Sequence, residues 1–186
     1  MLEGAVLRHG AGCAVPFFMD GQIRGTHCRE VFAELLASLP ATPPARACQE
    51  EMQLLLDEDW CELEHVIRLS NQLKAVLPDA AFSAVGTRTA VRTLKDARAR
   101  GARTPEEALG QLDALVHGTL RGFGSTRAVK MLDLKPGHVL LETPLRFPPA
   151  LLLGALRGFV MGFDRAVTSE SVMRTAQSTR LHVTWK

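Results

Sequence analysis

The feature that most constrains the fold is the pattern of the C-terminal third, in which two pairs of predicted strands flank one predicted helix. Residues 180–185 alternate strictly, with Leu181, Val183 and Trp185 on one side and polar residues on the other. This two-residue period is typical of a strand that buries one face. A further strand is predicted over residues 171–176, so the chain closes with a pair of strands.

The other predicted pair of strands covers residues 127–134 and 138–143. Pro136 and Gly137 lie between them and supply the residues that a type II turn requires. The turn chemistry therefore favours a β-hairpin here.

The helix between the two pairs of strands begins at two prolines and carries Gly154, Gly158 and Gly162 at intervals of four residues. That spacing places the three glycines on one face of the helix. A glycine inside a helix costs about 1 kcal/mol relative to alanine. Three glycines in register therefore predict that this face lies close against a sheet or a second helix.

Four helices are predicted ahead of this tail from apolar residues at helical spacing. The fourth begins with a capping box, in which Thr104 caps the helix and Glu107 completes the box. Three prolines in residues 39–46 predict an irregular loop within one domain. The predicted helices cover residues 29–39, 60–77, 82–98 and 104–122.

Together these elements predict an α+β fold, in which a helical N-terminal half packs on a four-stranded antiparallel sheet with a glycine-rich crossover helix, a ββαββ tail. The 186 residues can bury a full core as one domain, residues 1–186, without metal or disulfide help. The N-terminus lacks a basic segment followed by an apolar run, and the longest apolar segment, residues 151–163, is too short to span a bilayer. We therefore expect a cytoplasmic protein with reduced cysteines and no membrane insertion.

Charged residues are unevenly distributed, although the formal net charge is only +2. Residues 49–64 are acidic and contain no lysine or arginine, whereas residues 88–103 are mostly basic. We interpret these stretches as two solvated helix faces that can attract each other. Because no aromatic residues are interleaved with the basic ones to stack on bases, no nucleic-acid partner is expected.

Motifs of the common enzyme classes are missing: the sequence has no G-x-S-x-G, no P-loop and no dinucleotide fingerprint. Cys61 and His65 lie four residues apart on a predicted helix, as two metal ligands would. No CxxC pair accompanies them, and the spacing of Cys28, Cys48 and Cys61 matches no zinc module. The sequence therefore predicts no catalytic residue, no metal site and no cofactor, and it favours a non-enzymatic role while leaving an enzyme open.

The order of these parts resembles a bacterial branch of the haem–nitric-oxide-binding and 4-vinyl-reductase-like superfamily. The resemblance covers residues 21–186 and is carried by GQIRGTHCREVFAELL, DEDWCELEHVIRLSNQL, LDALVHG and LHVTW. It implies a ligand-binding or sensory module that holds haem or a small hydrophobic molecule between the helical half and the sheet. Related vesicle-tethering subunits hold acyl chains and form dimers, which implies a possible acyl ligand or homodimer.

Haem-binding members carry their histidine in a stretch like L-D-N-L-H. Aligned on Leu112 and Leu115, this chain has Val116 at that position and His117 one step later. One step on a helix is about 100° of rotation, which would turn the imidazole away from the pocket. His117 also lies near the end of its helix, where a partly charged imidazole suits the helix dipole, so a capping role and a ligand contact are both open.

Haem-binding members also hold the haem propionates with a Tyr-x-Ser-x-Arg motif after the hairpin. This chain has no tyrosine, and only Arg146 lies near the position of the arginine. Buried carboxylates need cationic or hydroxyl partners, so haem is kept as an alternative ligand. The C-terminal cysteines of 4-vinyl-reductase-like members have no counterpart either, since no cysteine follows Cys61.

We interpret the chain as a non-enzymatic sensory or ligand-binding module with an apolar pocket for a small hydrophobic molecule or acyl chain. A protein–protein adaptor that uses the glycine face or a sheet edge is the alternative, and a haem-based gas sensor is the second alternative. The residues predicted to contact a ligand are Leu112, Leu115, Val116, His117, Leu140, Arg146, Leu152, Leu156, Phe159 and Phe163.

Overall fold

The computed structural model describes residues 21–40, 42–56, 59–123 and 126–186. The helices of this part of the chain are α1 (Gly25–Ala37), α2 (Pro43–Leu56), α3 (Leu63–Leu73), α4 (Asp79–Ala99), α5 (Pro105–Gly110), α6 (Leu112–His117) and α7 (Pro149–Met161). The strands are β1 (Gln22–Arg24), β2 (Trp60–Glu62), β3 (Leu120–Arg121), β4 (Lys130–Lys135), β5 (His138–Thr143), β6 (Val167–Arg174) and β7 (Thr179–Trp185).

The C-terminal sheet is antiparallel with strand order β4-β5-β7-β6, and α7 connects its two hairpins. Val139 of β5 pairs with Val183 of β7, and their side chains pack in one buried cluster with Leu156 of α7. The turn between β4 and β5 places Gly137 at φ 77°, the left-handed conformation that a type II turn needs. The predicted ββαββ tail and its α+β class are thus confirmed.

Helix α7 packs backbone to backbone against α4 through its glycine face. A Cβ atom added to Gly154 would lie 2.2 Å from the carbonyl oxygen of Ser83, and one added to Gly86 would lie 2.1 Å from that of Leu151. The predicted close approach is confirmed, with α4 as the second helix. The same contact corrects the idea that this face pairs two copies of the chain, because Gly154 and Gly158 are buried within the fold.

Two predictions for the N-terminal half were wrong. The prolines of residues 39–46 do not exclude a helix, since α2 begins at Pro43; proline is tolerated in the first helical turn, where its missing N–H has no partner to lose. The predicted helix over residues 60–77 begins with a strand, because β2 pairs antiparallel with β1, and β1 in turn pairs with β3. This small sheet went unpredicted, since strands of two or three residues carry no measurable periodicity.

The basic stretch of residues 88–103 is not paired with the acidic stretch in the part of the chain that is described. Arg88 instead forms an ion pair with Glu34 of α1, and Arg92 Nη1 lies 3.1 Å from Glu30 Oε2 of the same helix. The expected attraction is therefore replaced by contacts between α4 and α1.

The described residues form a core of two adjoining apolar clusters. The first joins α1, α2, α3 and the start of α4, and the second joins the rest of α4 with α5, α6, α7 and the C-terminal sheet. Val116 packs against both clusters. Within the described ranges, no helix is long and apolar enough to cross a membrane.

Candidate ligand-binding cavity

An apolar cavity of about 170 Å³ lies where the two core clusters meet. Its walls come from α1, α4, α6 and α7, with single contributions from the short strands β1 and β3 and from α3. No residue of the C-terminal sheet lines it in the described part of the chain. The cavity therefore lies on one side of α7 and the sheet on the other, which corrects the expectation of a pocket between the helical half and the sheet.

Half of the residues predicted to contact a ligand line this cavity. Leu112, Leu115 and Val116 enter it from α6, and Leu152 and Phe159 enter it from α7. Leu152 and Phe159 are seven residues apart, which is two helical turns and hence one face of α7. Their contact with a ligand stays a prediction.

The other half lies elsewhere. Leu156 is 2% exposed and does not line the cavity; it packs in the cluster that contains Val139 and Val183 of the sheet. Leu140 lies on β5 opposite His182 of β7, on the sheet face that Val139 and Leu141 do not share. Phe163 follows α7, and the Arg98 guanidinium lies over its ring at 5.1 Å from the centroid.

Arg146 lies between two cavity-lining residues of the loop after β5, yet its side chain is exposed and lines a separate polar pocket. Arg174 lines the same pocket and donates from Nη2 to the carbonyl oxygen of Phe147 at 2.6 Å. Desolvation, and then the like charge of Arg146, lowers the pKa of Arg174. Two cations thus lie beside this pocket, outside the apolar cavity.

His117 ends α6 and does not line the cavity. Its Nδ1 lies 3.0 Å from the backbone oxygen of Asp113 and 3.3 Å from the carboxylate of the same residue, one turn earlier. Its ring meets that of Phe123 edge to face, with centroids 6.1 Å apart. His117 thus lies at the end of its helix, where its helix-end role would place it. The shift of one residue relative to the haem-ligand position leaves the imidazole outside the cavity wall.

Sequence reasoning missed the imidazole that does line the cavity. His27 lies in the first turns of α1, beside Cys28 and one helical turn before Val31, and all three side chains line the cavity. Burial lowers the pKa of His27; Glu30 opposes this effect and Arg92 adds to it. The signal was available, because residues four apart share a helix face, but the helix was predicted to begin at residue 29.

The cavity also contains a thiol. Burial raises the pKa of Cys28, and its contact with Cys61 adds to the effect. A thiol of raised pKa stays protonated and unreactive at neutral pH. Cys61, considered above as a metal ligand beside His65, lies on β2 and not on a helix, while His65 Nε2 lies 3.0 Å from Glu51.

Several solved structures match the fold of this chain. A mutant of T. Tengcongensis H-NOX matches with a TM-score of 0.58 and 16% identity over 88% of this chain and 97% of its own. The Fe(II) unliganded H-NOX protein from K. algicida matches with a TM-score of 0.59 and 9% identity over the same shares. The chain has an H-NOX-like fold. No family model and no curated protein matches the sequence.

A third H-NOX-like match was solved to probe haem distortion in the H-NOX family; it has a TM-score of 0.54 and 15% identity over 88% of this chain and 94% of its own. Sequence identities this low indicate a shared fold and no more. Whether haem would fit depends on the residues that line the cavity of this chain. Among the described residues, the cavity lining contains no arginine, lysine or tyrosine to pair with two propionates. Its volume of about 170 Å³ is also below the roughly 300–1,000 Å³ of pockets for drug-sized ligands. The lining as it stands does not fit haem.

Proposed function

We propose that this chain is a cytoplasmic, non-enzymatic sensory module whose cavity binds a small apolar molecule. The observation that carries the proposal is the cavity, which lies at the junction of the two core clusters and is lined almost wholly by apolar side chains. The apolar side chains around this space forgo contacts across it, and an apolar guest would restore them.

The volume defines the size of the guest. An engineered apolar cavity of about 150 Å³ stays dry and binds benzene, and the cavity of this chain is similar at about 170 Å³. Burying about 150 Å² of apolar guest surface is worth about 4 kcal/mol, which corresponds to a dissociation constant near 1 mM. Simple aromatic hydrocarbons are therefore suitable probes at millimolar concentration.

The proposal is tested by thermal unfolding of the full chain with toluene near saturation in water. We expect the melting temperature to rise by a few degrees, because a ligand that binds only the native state stabilises it by mass action. Thr89→Leu places a larger side chain into the cavity from α4 and should abolish the shift. Ala84→Leu adds a leucine to the exposed face of the same helix and should preserve it.

Two outcomes would contradict the proposal. Shifts of equal size in wild-type protein, T89L and A84L would mean that toluene acts on the surface, and the proposal would fail. Absence of any shift in wild-type protein at saturating toluene would count against it equally. Native mass spectrometry and solvent extraction of freshly purified protein then identify the guest that it carries from the cell.

A haem-based gas sensor is the second candidate, and the H-NOX-like fold is what favours it. The described lining offers the propionates of haem no cationic or phenolic partner, and His27 is the imidazole within it whose replacement tests for an iron ligand. Reconstitution with haemin tests this function: a Soret band that disappears in His27→Leu and persists in His117→Leu would support it. A spectrum identical to that of free haemin would rule it out.

An adaptor role, with or without homodimer formation, is supported by a different observation. Strand β6 is an edge of the C-terminal sheet, and it exposes Val172 and Met173 by 41% and 57%. Exposed apolar residues on a sheet edge are a template for pairing with another strand. Light scattering across concentrations tests this role; a monomer at all concentrations, with no co-purifying protein, would remove it.

A further inference from the structure

His27 is the imidazole in a mostly apolar part of the cavity wall that the structure describes. Among the described residues, neither of its ring nitrogens has a hydrogen-bond partner, although the side chain is at least half-buried and lines the cavity. Neither ring nitrogen is fully buried, because Gln111 Oε1 is the one side-chain polar atom that is buried without a partner in the described part of the chain. A guest that displaced water from His27 without offering a partner would leave a donor or an acceptor unsatisfied, which is unfavourable.

Most of the remaining polar side chains of the cavity have a hydrogen-bond partner in the protein. Thr93 donates its hydroxyl to the carbonyl oxygen of Thr89 at 3.2 Å, and Thr119 donates to that of Val116 at 2.8 Å. Cys28 pairs with Cys61. His27 and the hydroxyl of Thr89 are thus the groups left to meet a guest.

The protonation state of His27 defines what it can pair with. Burial keeps the imidazole neutral at neutral pH by lowering its pKa, so one ring nitrogen donates and the other accepts. Its charged neighbours, Glu30 and Arg92, act on that pKa in opposite directions. In the part of the chain that the structure describes, no lysine or arginine lines the cavity to match a carboxylate or phosphate, and an unpaired charge would not leave water for this site.

The aromatic rings of the cavity wall determine which kind of guest packs best against it. Phe32, Phe147 and Phe159 line the cavity from three different parts of the chain. Aromatic rings pack favourably against one another in offset or edge-to-face arrangements. An aromatic guest would gain these contacts, whereas an aliphatic chain would not.

We propose that the guest of this cavity is a small uncharged aromatic molecule with one hydrogen-bonding group, of the phenol or indole class, and that His27 pairs with that group. This inference rests on the proposed apolar-ligand function and narrows it from any small hydrocarbon to a molecule with a single polar atom. His27 acts as the specificity-determining residue, and the apolar walls supply the remaining contacts.

The test compares phenol with toluene, which have nearly the same size and differ in one polar atom. Dissociation constants for both are measured by NMR titration of the full chain, and the ratio of the two is compared between variants. We expect His27→Leu to shift this ratio against phenol by about tenfold, since a hydrogen bond in a buried site is worth that factor. His27→Gln keeps a donor and an acceptor and should retain most of the preference. His117→Leu, outside the cavity, should leave the ratio unchanged.

The outcomes separate the two proposals. If wild-type protein and H27L bind toluene and show the same ratio, the role of His27 is refuted while the apolar cavity function stands. If neither probe binds wild-type protein, the cavity function itself fails. A second measurement avoids any folding defect of the variants: imidazole ¹⁵N shifts of His27 in wild-type protein should move with phenol and not with toluene, and equal movement would overturn the inference.

Discussion

Replacing Gly154 by alanine tests the contact that holds α4 and α7 together. The added Cβ would lie 2.2 Å from the carbonyl oxygen of Ser83 and 2.8 Å from its Cα, and these are backbone atoms that no change of side-chain rotamer can move. An ordinary contact of a Cβ atom begins near 3.4 Å. The two helices would therefore have to separate by about 1.2 Å, the difference between these distances.

The expected loss follows from two opposing effects. Alanine favours the helix over glycine by about 1 kcal/mol, whereas overpacking a well-packed interior costs about 1–3 kcal/mol, occasionally more. Because the clash is with backbone, the cost should lie at the upper end. We expect G154A to lower the free energy of unfolding by about 2 kcal/mol, which is a fall in melting temperature of about 4–8 °C for a chain of this size.

Chemical denaturation with a matched glycine as control measures this loss. A Cβ added to Gly110, in α5, meets only the Leu134 side chain at an ordinary 3.7 Å, so G110A should be neutral or stabilise the chain by up to about 1 kcal/mol. A G154A protein as stable as wild type would show that the helices are not in backbone contact, and the geometry of the cavity wall would fail with it.

Three further results are expected. Because burial lowers the pKa of His27, the unfolded chain binds more protons than the native chain below about pH 6.5. The free energy of unfolding should therefore fall as the pH drops from about 7.5 to about 5.5. The fall should be shallower in H27L, and equal slopes in the two proteins would contradict the buried position of His27. Thr143→Val should cost about 1–3 kcal/mol in urea denaturation, because the buried hydroxyl donates to a carbonyl at 2.7 Å and accepts from an amide at 3.1 Å; Thr168→Val, at an exposed hydroxyl, should cost far less. Maleimide mapped by mass spectrometry should label Cys48 in the native protein and reach Cys28 only after denaturation, and native labelling of Cys28 would refute its burial.

The sheet and its crossover helix could be predicted because their signals are local. Residues of β7 alternate over the whole strand, and its buried members are Leu181, Val183 and Trp185 of the predicted apolar side together with Thr179 at the start of the strand. The glycine spacing of α7 predicted a close approach, although it could not say whether the second surface was a helix or a sheet. The identity of that surface depends on tertiary packing, which no spacing within α7 reports.

The cavity residues of α6 could be predicted and those of α7 only in part, for one physical reason. Helix α6 has one apolar face, so the side chains of Leu112 and Leu115 can be buried only on that face, which lines the cavity. Helix α7 is apolar on both sides because it lies between the cavity and the sheet. Periodicity there cannot tell Leu152, which lines the cavity, from Leu156, which packs toward the sheet.

The position of α7 also has a consequence for how a guest would act. The α4–α7 wall of the cavity is fixed by glycine contacts between backbones, so it has little freedom to adjust its separation. The opposite walls, from α1 and α6, meet the cavity through side chains such as Phe32 and Val116, which can change rotamer. Under the proposed function, guests of different size would therefore be accommodated mainly by α1 and α6, and a change in the cavity would reach the rest of the protein through those helices before it reached the sheet.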